Sequence, residues 1–504
     1  MQDLLTLRPL RRNQLALRSR RSCLTLLIAC FAGASGAALG GCTGDSYLGA
    51  GDTAETLENP SNPGTTSDPT EPDPSLPTSF SAAEYEQVLT AAVHFYGAQR
   101  CGDSDNWLLT SNVWGDSCHL EDGPDLQPGL DLTGGWHDAG DYLKFSLTTA
   151  WSAYALLKAR DAFPEAFDDD ALLDEVRVAA HWLVKIHPDS DTLIAMVGGH
   201  EDHSVWVTSP YQSTLGYSQG GGQRMVTDGA SADVAGLTAA ALALWSLQTG
   251  DTDALAIAES VYALGKRRPW TTDTPFYEDA EWEDNMLCGA IELYRATGNA
   301  DYLDDARAYD DQIDSHGWVV SWAQSADYGR HSMAVLGESS ARVHWKGDVD
   351  AYLDAVSIDS NTSGLAWFSD WGTLRYALGA SFSAGLYHSI TGEQKYLDFA
   401  VSQLDYALGD NDYGRSFVVG WGENPPSHPH HANSYGNNSL TWDLSGQHAF
   451  SLTGALVGGP TQTAAGPSSP GYADETADWV GNEVTIDYNT GLVGTAAFVL
   501  AAHP

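Results

Sequence analysis

Apolar residues recur at the three- and four-residue spacing of amphipathic helices along most of the chain after residue 80. We predict eleven or twelve helices and no convincing pairs of strands. The clearest segments are Tyr85–Gln99, Thr148–Ala162, Leu172–Ile186, Ala232–Leu247, Ala254–Leu264, Glu283–Ala296, Tyr302–Ile313, Val349–Val356, Gly372–Ile390, Lys395–Leu408 and Thr490–Ala502. Between them lie long Gly-, Pro- and Asn-rich loops such as Gly409–Gly446, and loops of that length usually carry function. The periodicity predicts a large all-α domain.

The first 79 residues follow a different pattern. Residues 1–41 carry six arginines ahead of the apolar run Leu24–Phe31, which is typical of an export signal and is too short for a membrane span. Leu39-Gly40-Gly41-Cys42 resembles a bacterial lipobox, so Cys42 is predicted to be the acylated first residue of an exported protein anchored at the cell envelope. Residues 42–79 are rich in Pro, Thr, Ser and Asp, which predicts a disordered tether. We expect contact with the membrane through this anchor only.

The chain is acidic, with 24 Lys and Arg, 67 Asp and Glu, and a formal net charge of −43. Without residues 1–41, 18 Lys and Arg face 66 Asp and Glu, a net charge of −48. Binding of nucleic acid is excluded, because it needs Lys and Arg to neutralise phosphates. A neutral polymer is unaffected by this charge, which fits a well-solvated surface.

Two carboxylates stand three residues apart in the glycine-rich segment Gly134-Gly135-Trp136-His137-Asp138-Ala139-Gly140-Asp141, and a third acid, Glu483, lies near the other end of the chain. Inverting hydrolysis of a glycosidic bond needs a protonated carboxyl at the leaving oxygen. It also needs a carboxylate that activates water on the opposite face of the sugar, about 6.5–9.5 Å away. Acids from distant sequence positions suit that opposed geometry, so the trio predicts a glycosidase.

A spaced signature surrounds the third acid. Its members are Tyr472, Asp474, Trp479, Glu483, Thr485, Asn489 and Thr490. Together with the Asp-Ala-Gly-Asp segment, this signature resembles glycoside hydrolase family 9, the inverting cellulases, and the resemblance covers almost all of residues 80–504. It implies one catalytic domain over those residues, an all-α (α/α)6 barrel with long active-site loops on one face.

The resemblance also implies a role for each acid. Asp141 is expected to be the general base and Asp138 to position the attacking water. Glu483 is expected to be the general acid. It must stay protonated near the working pH, which apolar surroundings or a nearby anion can bring about. Asp474, upstream of the acid, is expected to support the site.

Glucan binding calls for flat aromatic faces and for groups that hydrogen-bond to hydroxyls. The substrate-binding residues implied by the resemblance are His203, Trp206, Trp371, Arg375, His430 and Tyr488. Family members have an Arg two residues after the histidine that corresponds to His430, and this chain has Ala432 there. That contact to the substrate is therefore missing or supplied by a neighbour such as Asn433.

Outside the export segment and Cys42, the cysteines number three, and an odd count argues against a complete disulfide framework. The four residues Cys101, Cys118, His119 and His137 form a set that suits tetrahedral zinc. A subgroup of family 9 has a structural zinc in this place, where it would fix the loop that carries the first two acids. A Cys101–Cys118 disulfide is the alternative. Zinc is favoured because a disulfide leaves both histidines unexplained.

The resemblance also points to calcium. Asp228, Ser231 and Asp233 lie in a loop that binds Ca2+ in many relatives. Leu237 stands where those relatives have Glu, which removes a carboxylate ligand.

These observations predict an exported, lipid-anchored, inverting endo-β-1,4-glucanase that acts on cellulose or related β-glucans. One alternative keeps the fold and the acids but changes the substrate, as in an exo-β-glucosaminidase or a cello-oligosaccharide hydrolase, which Ala432 makes reasonable. Another is a non-catalytic surface glycan-binding lipoprotein, against which the three intact acids argue.

Overall fold

The structure is a computed structural model that describes residues 78–103, 105–110, 117–167, 169–313, 318–358, 362–440, 443–461 and 471–502. All of them belong to one unit, Pro74–Pro504. The predicted export segment, Cys42 and the tether up to residue 77 lie outside the described residues. Within the described part of the chain, no helix combines the length and the apolarity needed to cross a bilayer.

Twelve helices of ten or more residues form the described domain, and they are numbered here in chain order. They are α1 (Ala82–Gln99), α2 (Ser146–Ala162), α3 (Ala171–Lys185), α4 (Ala232–Thr249), α5 (Thr252–Arg267), α6 (Glu283–Thr297), α7 (Ala300–Asp310), α8 (Ala326–Val335), α9 (Ser339–Asp354), α10 (Thr373–Thr391), α11 (Gln394–Leu408) and α12 (Tyr488–Ala502). The eleven segments predicted from periodicity all overlap these helices, although Val349–Val356 covers only the end of α9 and continues past Asp354.

The even-numbered helices form a closed inner ring. Each contacts the next even-numbered helix, and α12 contacts both α10 and α2. Helix α4 buries 15 of its 18 residues, whereas the outer helix α5 buries 6 of 16 along one stripe. Each outer helix packs against a neighbouring inner one. This inner and outer alternation confirms the predicted (α/α)6 barrel.

Helix α8 was not predicted, because its buried face is polar. Arg330 is fully buried and forms ion pairs with Asp310 at 2.8 Å and with Asp348 at 2.6 Å. Such pairs replace the apolar contacts on which periodicity depends. Removing one partner of a buried pair typically costs about 3–5 kcal/mol, so this face is as constrained as an apolar one.

Among the described residues, five short strands also differ from the prediction. β1 (Gly102–Asp103) pairs with β2 (Ser117–Cys118), and an antiparallel sheet joins β3 (Lys144–Phe145), β4 (Ile194–Val197) and β5 (Val226–Asp228). Strands of two to four residues are too short to leave an alternating pattern in the sequence.

Candidate active site

Backbone hydrogen bonds join the loops that carry the predicted catalytic acids. The amide of Ile486 donates to the carbonyl of Asp138 at 2.9 Å, and the amide of His430 donates to the carbonyl of Asn482 at 2.7 Å. His430 and Glu483 also form a parallel β-bridge. These bonds hold three segments together: the segment around Asp138 and Asp141 (here called the base loop), the segment around His430 (the histidine loop) and the segment from Asn482 to Asp487 (the acid loop).

Gly140 allows the base loop to approach the histidine loop. A Cβ atom on Gly140 would lie 1.9 Å from the carbonyl oxygen of His430, which no larger residue can tolerate. Gln99 of α1 links the same two loops, since its Nε2 donates to the carbonyl of Ala139 at 2.8 Å and its Oε1 accepts from His431 Nε2 at 2.8 Å. These contacts fix the turn between the two aspartates.

Asp138 is buried and hydrogen-bonded at both carboxylate oxygens. The hydroxyl of Thr148 in α2 donates to Oδ1, and the hydroxyl of Tyr277 donates to Oδ2. Burial raises the pKa of Asp138 to about 8, against these two hydrogen bonds. With both oxygens occupied, Asp138 is better placed to orient its surroundings than to abstract a proton.

Asp141 is paired with His203. The imidazole Nδ1 of His203 lies 2.5 Å from Asp141 Oδ2. Burial disfavours the charged imidazole, but the hydrogen bond and the charge of Asp141 outweigh it, so the pKa of His203 is raised. This contact engages Oδ2 of Asp141 and fixes the orientation of its carboxylate.

Glu483 follows the short helical turn Trp479–Asn482. Its Oε2 accepts hydrogen bonds from Trp371 Nε1 at 2.7 Å and from the Tyr488 hydroxyl at 3.0 Å. Burial raises the pKa of Glu483; the two hydrogen bonds oppose this effect, and the charges of Asp487 and Asp141 add to it. The surroundings thus favour the protonated form of Glu483.

The histidine loop presents a neutral imidazole. Burial lowers the pKa of His430 to about 4, and its Nδ1 donates to the carbonyl of Thr476 at 2.6 Å, so Nε2 is an acceptor. The ring of Trp206 lies 4.2 Å from that of His430, and Trp206 is only 5% exposed. The structure therefore places Trp206 behind His430, where it orients the imidazole.

Asp474 lies at the rim of the site. It accepts hydrogen bonds from the amides of Ser427 and His428, both at 2.9 Å, and from the Ser427 hydroxyl at 2.8 Å. Burial raises the pKa of Asp474, but these donors and the charge of Arg415 lower it by more, so the pKa lies below its usual value. Asp474 thus anchors the start of the segment that leads to His430, a supporting position.

The other three predicted substrate-binding residues surround Glu483. Trp371 is 36% exposed, so one ring face is accessible while its Nε1 contacts the acid. Tyr488 is buried with its hydroxyl on the acid. The guanidinium of Arg375 lies 5.5 Å from the centre of the Tyr488 ring. Exposed aromatic surface and a cation thus border the acid.

Ala432 is buried and packs with Tyr142 and Trp206. The expectation that Asn433 supplies a replacement contact to the substrate is wrong. Asn433 is 1% exposed, and its Oδ1 accepts from the Tyr142 hydroxyl and from the amide of Ser209, both at 2.8 Å. The side-chain amide of Asn433 is therefore occupied by hydrogen bonds within the protein interior.

Three residues at the acids were missed by the sequence reasoning: Thr148, Tyr277 and Asp487. Thr148 lies in the first turn of α2, and Tyr277 lies in a loop far along the chain, so neither belongs to a motif around the acids. Asp487 falls inside the signature at a position that the signature leaves open. Only the folded chain brings the three together.

The predicted metal ligands converge. The ligand atoms of Cys101, Cys118, His119 and His137 all lie within 4.8 Å of one another, and all four side chains are buried. Neither cysteine is in a disulfide. His119 has φ +50°, an uncommon conformation for a residue other than Gly. The four side chains are close enough together to hold one metal ion, and one of them, His137, directly precedes Asp138.

The three predicted calcium ligands differ from one another in exposure and in their contacts. Asp233 is buried, and its two oxygens accept from the amide of Thr272 at 2.8 Å and from the hydroxyl of Thr272 at 2.5 Å. Asp228 is exposed. The amide of Ser231 also donates to the Thr272 hydroxyl, at 2.9 Å. Calcium at Asp228, Ser231 and Asp233 stays a prediction.

A helical barrel that holds Asp138, Asp141 and Glu483 on loops joined by backbone hydrogen bonds has the fold and the carboxyl groups of a glycoside hydrolase. The model of glycosyl hydrolase family 9 matches residues 85–496. The chain belongs to that family.

Similar proteins share both sequence and fold with the chain. It is 34% identical over 457 residues to Endoglucanase 4 of Bacillus sp. (strain KSM-522), which covers 82% of this chain and 68% of the relative. It is 33% identical over 452 residues to Endoglucanase B of Cellulomonas fimi, covering 82% of this chain but 42% of that relative's length. The solved structure of the cellulase Cel9M of C. cellulolyticum has a TM-score of 0.74 at 30% identity and covers 83% of this chain and 99% of that one.

Proposed function

We propose that the protein is an inverting endo-β-1,4-glucanase that hydrolyses cellulose or related β-glucans. The observation that carries the proposal is the contrast between two acids, with Asp141 paired to His203 and Glu483 buried with a raised pKa. Relatives named endoglucanase support the substrate class. So does the endoglucanase CelQ from Clostridium thermocellum complexed with cellotriose, with a TM-score of 0.72, 28% identity and coverage of 83% of this chain and 71% of that chain.

Glu483 is the general acid. Both donors to its carboxyl, Trp371 and Tyr488, contact Oε2, so Oε1 is the oxygen that carries the proton to the leaving glycosidic oxygen. Proton transfer by a positioned acid contributes about 10²–10⁴-fold to the rate.

Asp141 is the general base, and it takes a proton from the attacking water as that water adds to the anomeric carbon. His203 binds one oxygen of Asp141 and leaves the other for the water. Asp138, held by Thr148 and Tyr277, positions this water. A single displacement with acid and base on opposite faces inverts the anomeric centre.

The sugar chain is recognised by groups around these acids. The accessible face of Trp371 packs against the apolar face of a pyranose ring. His430 Nε2 accepts a hydrogen bond from a hydroxyl, and Arg375, whose side chain is 12% exposed, donates one. His203 and Tyr488 border the same space through their contacts to the acids.

We propose that the Cys/His cluster holds a structural zinc ion. Zinc with Zn–N of about 2.05 Å and Zn–S of about 2.3 Å separates two ligand nitrogens by about 3.3 Å and a nitrogen from a sulfur by about 3.6 Å in a tetrahedron. The nitrogens of His119 and His137 lie 3.4 Å apart, Cys101 Sγ lies 3.9 Å from His119 Nδ1, and Cys118 Sγ lies 4.0 Å from His137 Nε2. The other nitrogen of His119 donates to Gln212 Oε1 at 3.2 Å, which orients the ring as an outer-shell partner does.

Ala432 favours a second candidate, an exo-β-glucosaminidase or cello-oligosaccharide hydrolase on the same barrel. The buried alanine and the engaged Asn433 leave no cation at the position where relatives have Arg. Product profiles on carboxymethylcellulose, cello-oligosaccharides and chito-oligosaccharides decide between the two. Rapid loss of viscosity with a mixture of oligomers supports the endoglucanase, whereas release of single units from one end supports the alternative.

The first sugar released from a β-linked substrate is expected to be the α-anomer, because one displacement by water inverts the configuration. Proton NMR of the earliest products measures it before mutarotation. An initial β-anomer would demonstrate a retaining mechanism and would contradict the assignment of Asp141 as a base.

We propose that the protein is exported and anchored by lipid on Cys42, with residues 42–79 as a tether. Activity is expected in the membrane fraction of the producing cells, and Cys42→Ala is expected to lose acylation, because the lipobox thiol is the attachment site. Cys288→Ser serves as the matched control that keeps the anchor. A wild-type protein that is released without a lipid contradicts the proposal.

A further inference from the structure

His448 forms a bridge between two segments beside the acids. Its imidazole Nδ1 lies 2.6 Å from the hydroxyl oxygen of Ser434, and its Nε2 lies 2.7 Å from the hydroxyl oxygen of Thr476. Ser434 belongs to the short helical turn that follows His430, and Thr476 lies in a turn on the way to Glu483. Both Ser434 and Thr476 are buried. His448 therefore joins the end of the histidine loop to the start of the segment that carries the acid.

The directions of these two hydrogen bonds follow from the Ser434 hydroxyl. It donates to the carbonyl of Phe450 at 2.9 Å, and a hydroxyl has only one hydrogen to donate. His448 Nδ1 must therefore carry a proton and donate to Ser434, which leaves Nε2 to accept from the Thr476 hydroxyl. Burial, together with the charge of His428, lowers the pKa of His448 to about 4. The ring is thus neutral near pH 7, as this arrangement requires.

Thr476 in turn orients the histidine that faces the substrate. Its carbonyl accepts a hydrogen bond from His430 Nδ1 at 2.6 Å, while the ring of Trp206 packs against the same imidazole. Thr476 lies in a turn, outside the helices and strands, so its position depends on side-chain contacts such as the one with His448. Without His448, the buried hydroxyl of Thr476 would lose this acceptor, which is unfavourable. We expect the turn, and with it the carbonyl that holds His430, to shift.

The other end of the bridge is fixed to the base loop. The amide of Ser434 donates to His431 Nδ1 at 3.1 Å. His431 contacts Gln99, which donates to the carbonyl of Ala139 between the two aspartates. Ser434 is therefore a fixed point from which His448 can hold Thr476.

We propose that His448 is a positioning residue for the reaction: through Thr476, it holds the imidazole of His430 in the tautomer and orientation that accept a hydrogen bond from a sugar hydroxyl. The proposal rests on the proposed binding of a β-glucan at His430. His448 does not contact the sugar in this role, so its removal is expected to act through His430 alone. The contact of His430 with a hydroxyl is made in the bound substrate as well as in the transition state, so its loss is expected to raise KM more than it lowers kcat.

The test is a double-mutant cycle of His448→Ala and His430→Ala, with kcat and KM measured on a cello-oligosaccharide. His448→Ala alone is expected to raise KM by about fivefold, the net effect of one hydrogen bond. It is expected to add nothing further in the His430→Ala background, because the two residues act as one unit. His448→Gln offers both a donor and an acceptor and is expected to restore most of the wild-type KM.

His388→Ala is the matched control for the loss of a hydrogen-bonded imidazole. His388 lies in the last turn of α10, and its Nδ1 is 3.0 Å from the carbonyl oxygen of Glu393. Its removal breaks one contact at the end of α10 that is opposite to Trp371 and Arg375, so this variant is expected to keep the wild-type kcat and KM.

Thr476→Val and Thr476→Ser carry the same test if His448→Ala does not fold. Thr476→Val removes only the hydroxyl and is expected to raise KM as His448→Ala does, whereas Thr476→Ser keeps the hydroxyl and the wild-type KM. An unchanged KM in His448→Ala, or in Thr476→Val if only that variant folds, overturns the proposal even where stability falls. So does an effect of His448→Ala that persists in full without His430. A wild-type protein that does not cleave the oligosaccharide instead refutes the proposed function, and a wild-type KM in His430→Ala refutes the contact of His430 with the sugar.

Discussion

Glu483→Gln and Asp141→Asn are each expected to lower kcat on a natural glucan by on the order of 10²-fold or more, with folding intact. Each substitution removes proton transfer and keeps the side-chain volume, and a positioned acid or base contributes about 10²–10⁴-fold. Steady-state kinetics of each variant measures the loss of kcat, and thermal unfolding shows whether the fold is intact. Asp138→Asn is also expected to be impaired, because Asp138 holds the water that Asp141 activates.

A substrate with an activated leaving group separates the acid from the base. An aryl cellobioside with an acidic phenol needs little protonation as it leaves, so it is expected to restore much of the rate of Glu483→Gln and little of the rate of Asp141→Asn. Glu475→Gln and Asp131→Asn, at exposed positions near the two loops, are the matched controls and are expected to stay active. Activity above a tenth of wild type in either catalytic variant on the natural glucan contradicts the assignment.

The helices could be predicted from the sequence wherever apolar packing forms them. Helix α2 buries 14 of its 17 residues, and the predicted segment Thr148–Ala162 differs from it by only two residues at the start. Helix α8 was missed because Asp327, Arg330 and His331 are buried there, and an ion pair between distant segments leaves no periodic apolar pattern. The ring closure between α12 and α2 followed from family resemblance, since it joins the two ends of the domain.

In the candidate site, too, some residues could be predicted from local motifs and others only from the folded chain. The acids lie in local motifs, and the structure brings Asp138, Asp141 and Glu483 to loops joined by backbone hydrogen bonds. The groups that set their protonation could not be found in this way, because Tyr277 and Asp487 are recognisable only by what they touch. Likewise, Trp206 matched a substrate-binding position, but its burial depends on a residue from another loop, His430.

The purified protein is expected to contain about one tightly bound zinc ion per chain. His119→Ala and Cys118→Ser are each expected to lose metal, thermal stability and activity together. The reason is mechanical, because His137 directly precedes Asp138, and a displacement of about 1 Å in a catalytic group can cost on the order of 10²-fold in rate. Structural zinc also contributes its binding free energy to folding. Elemental analysis, thermal unfolding and kcat on the same samples measure the three effects.

Cys288→Ser is the matched control for the zinc prediction, since Cys288 is also buried but lies on α6, where its Sγ contacts the carbonyl of Ser325 at 3.2 Å. This variant is expected to keep its metal. Thiol titration then separates zinc from the alternative, because a chelator exposes two reactive thiols in a zinc protein and none in a disulfide. Metal-free protein without a free thiol at Cys101 and Cys118 would establish the disulfide. In that case no ion would hold His119 and His137 together. Their ring nitrogens lie 3.4 Å apart, and a hydrogen bond between the two rings would have to stabilise this buried pair.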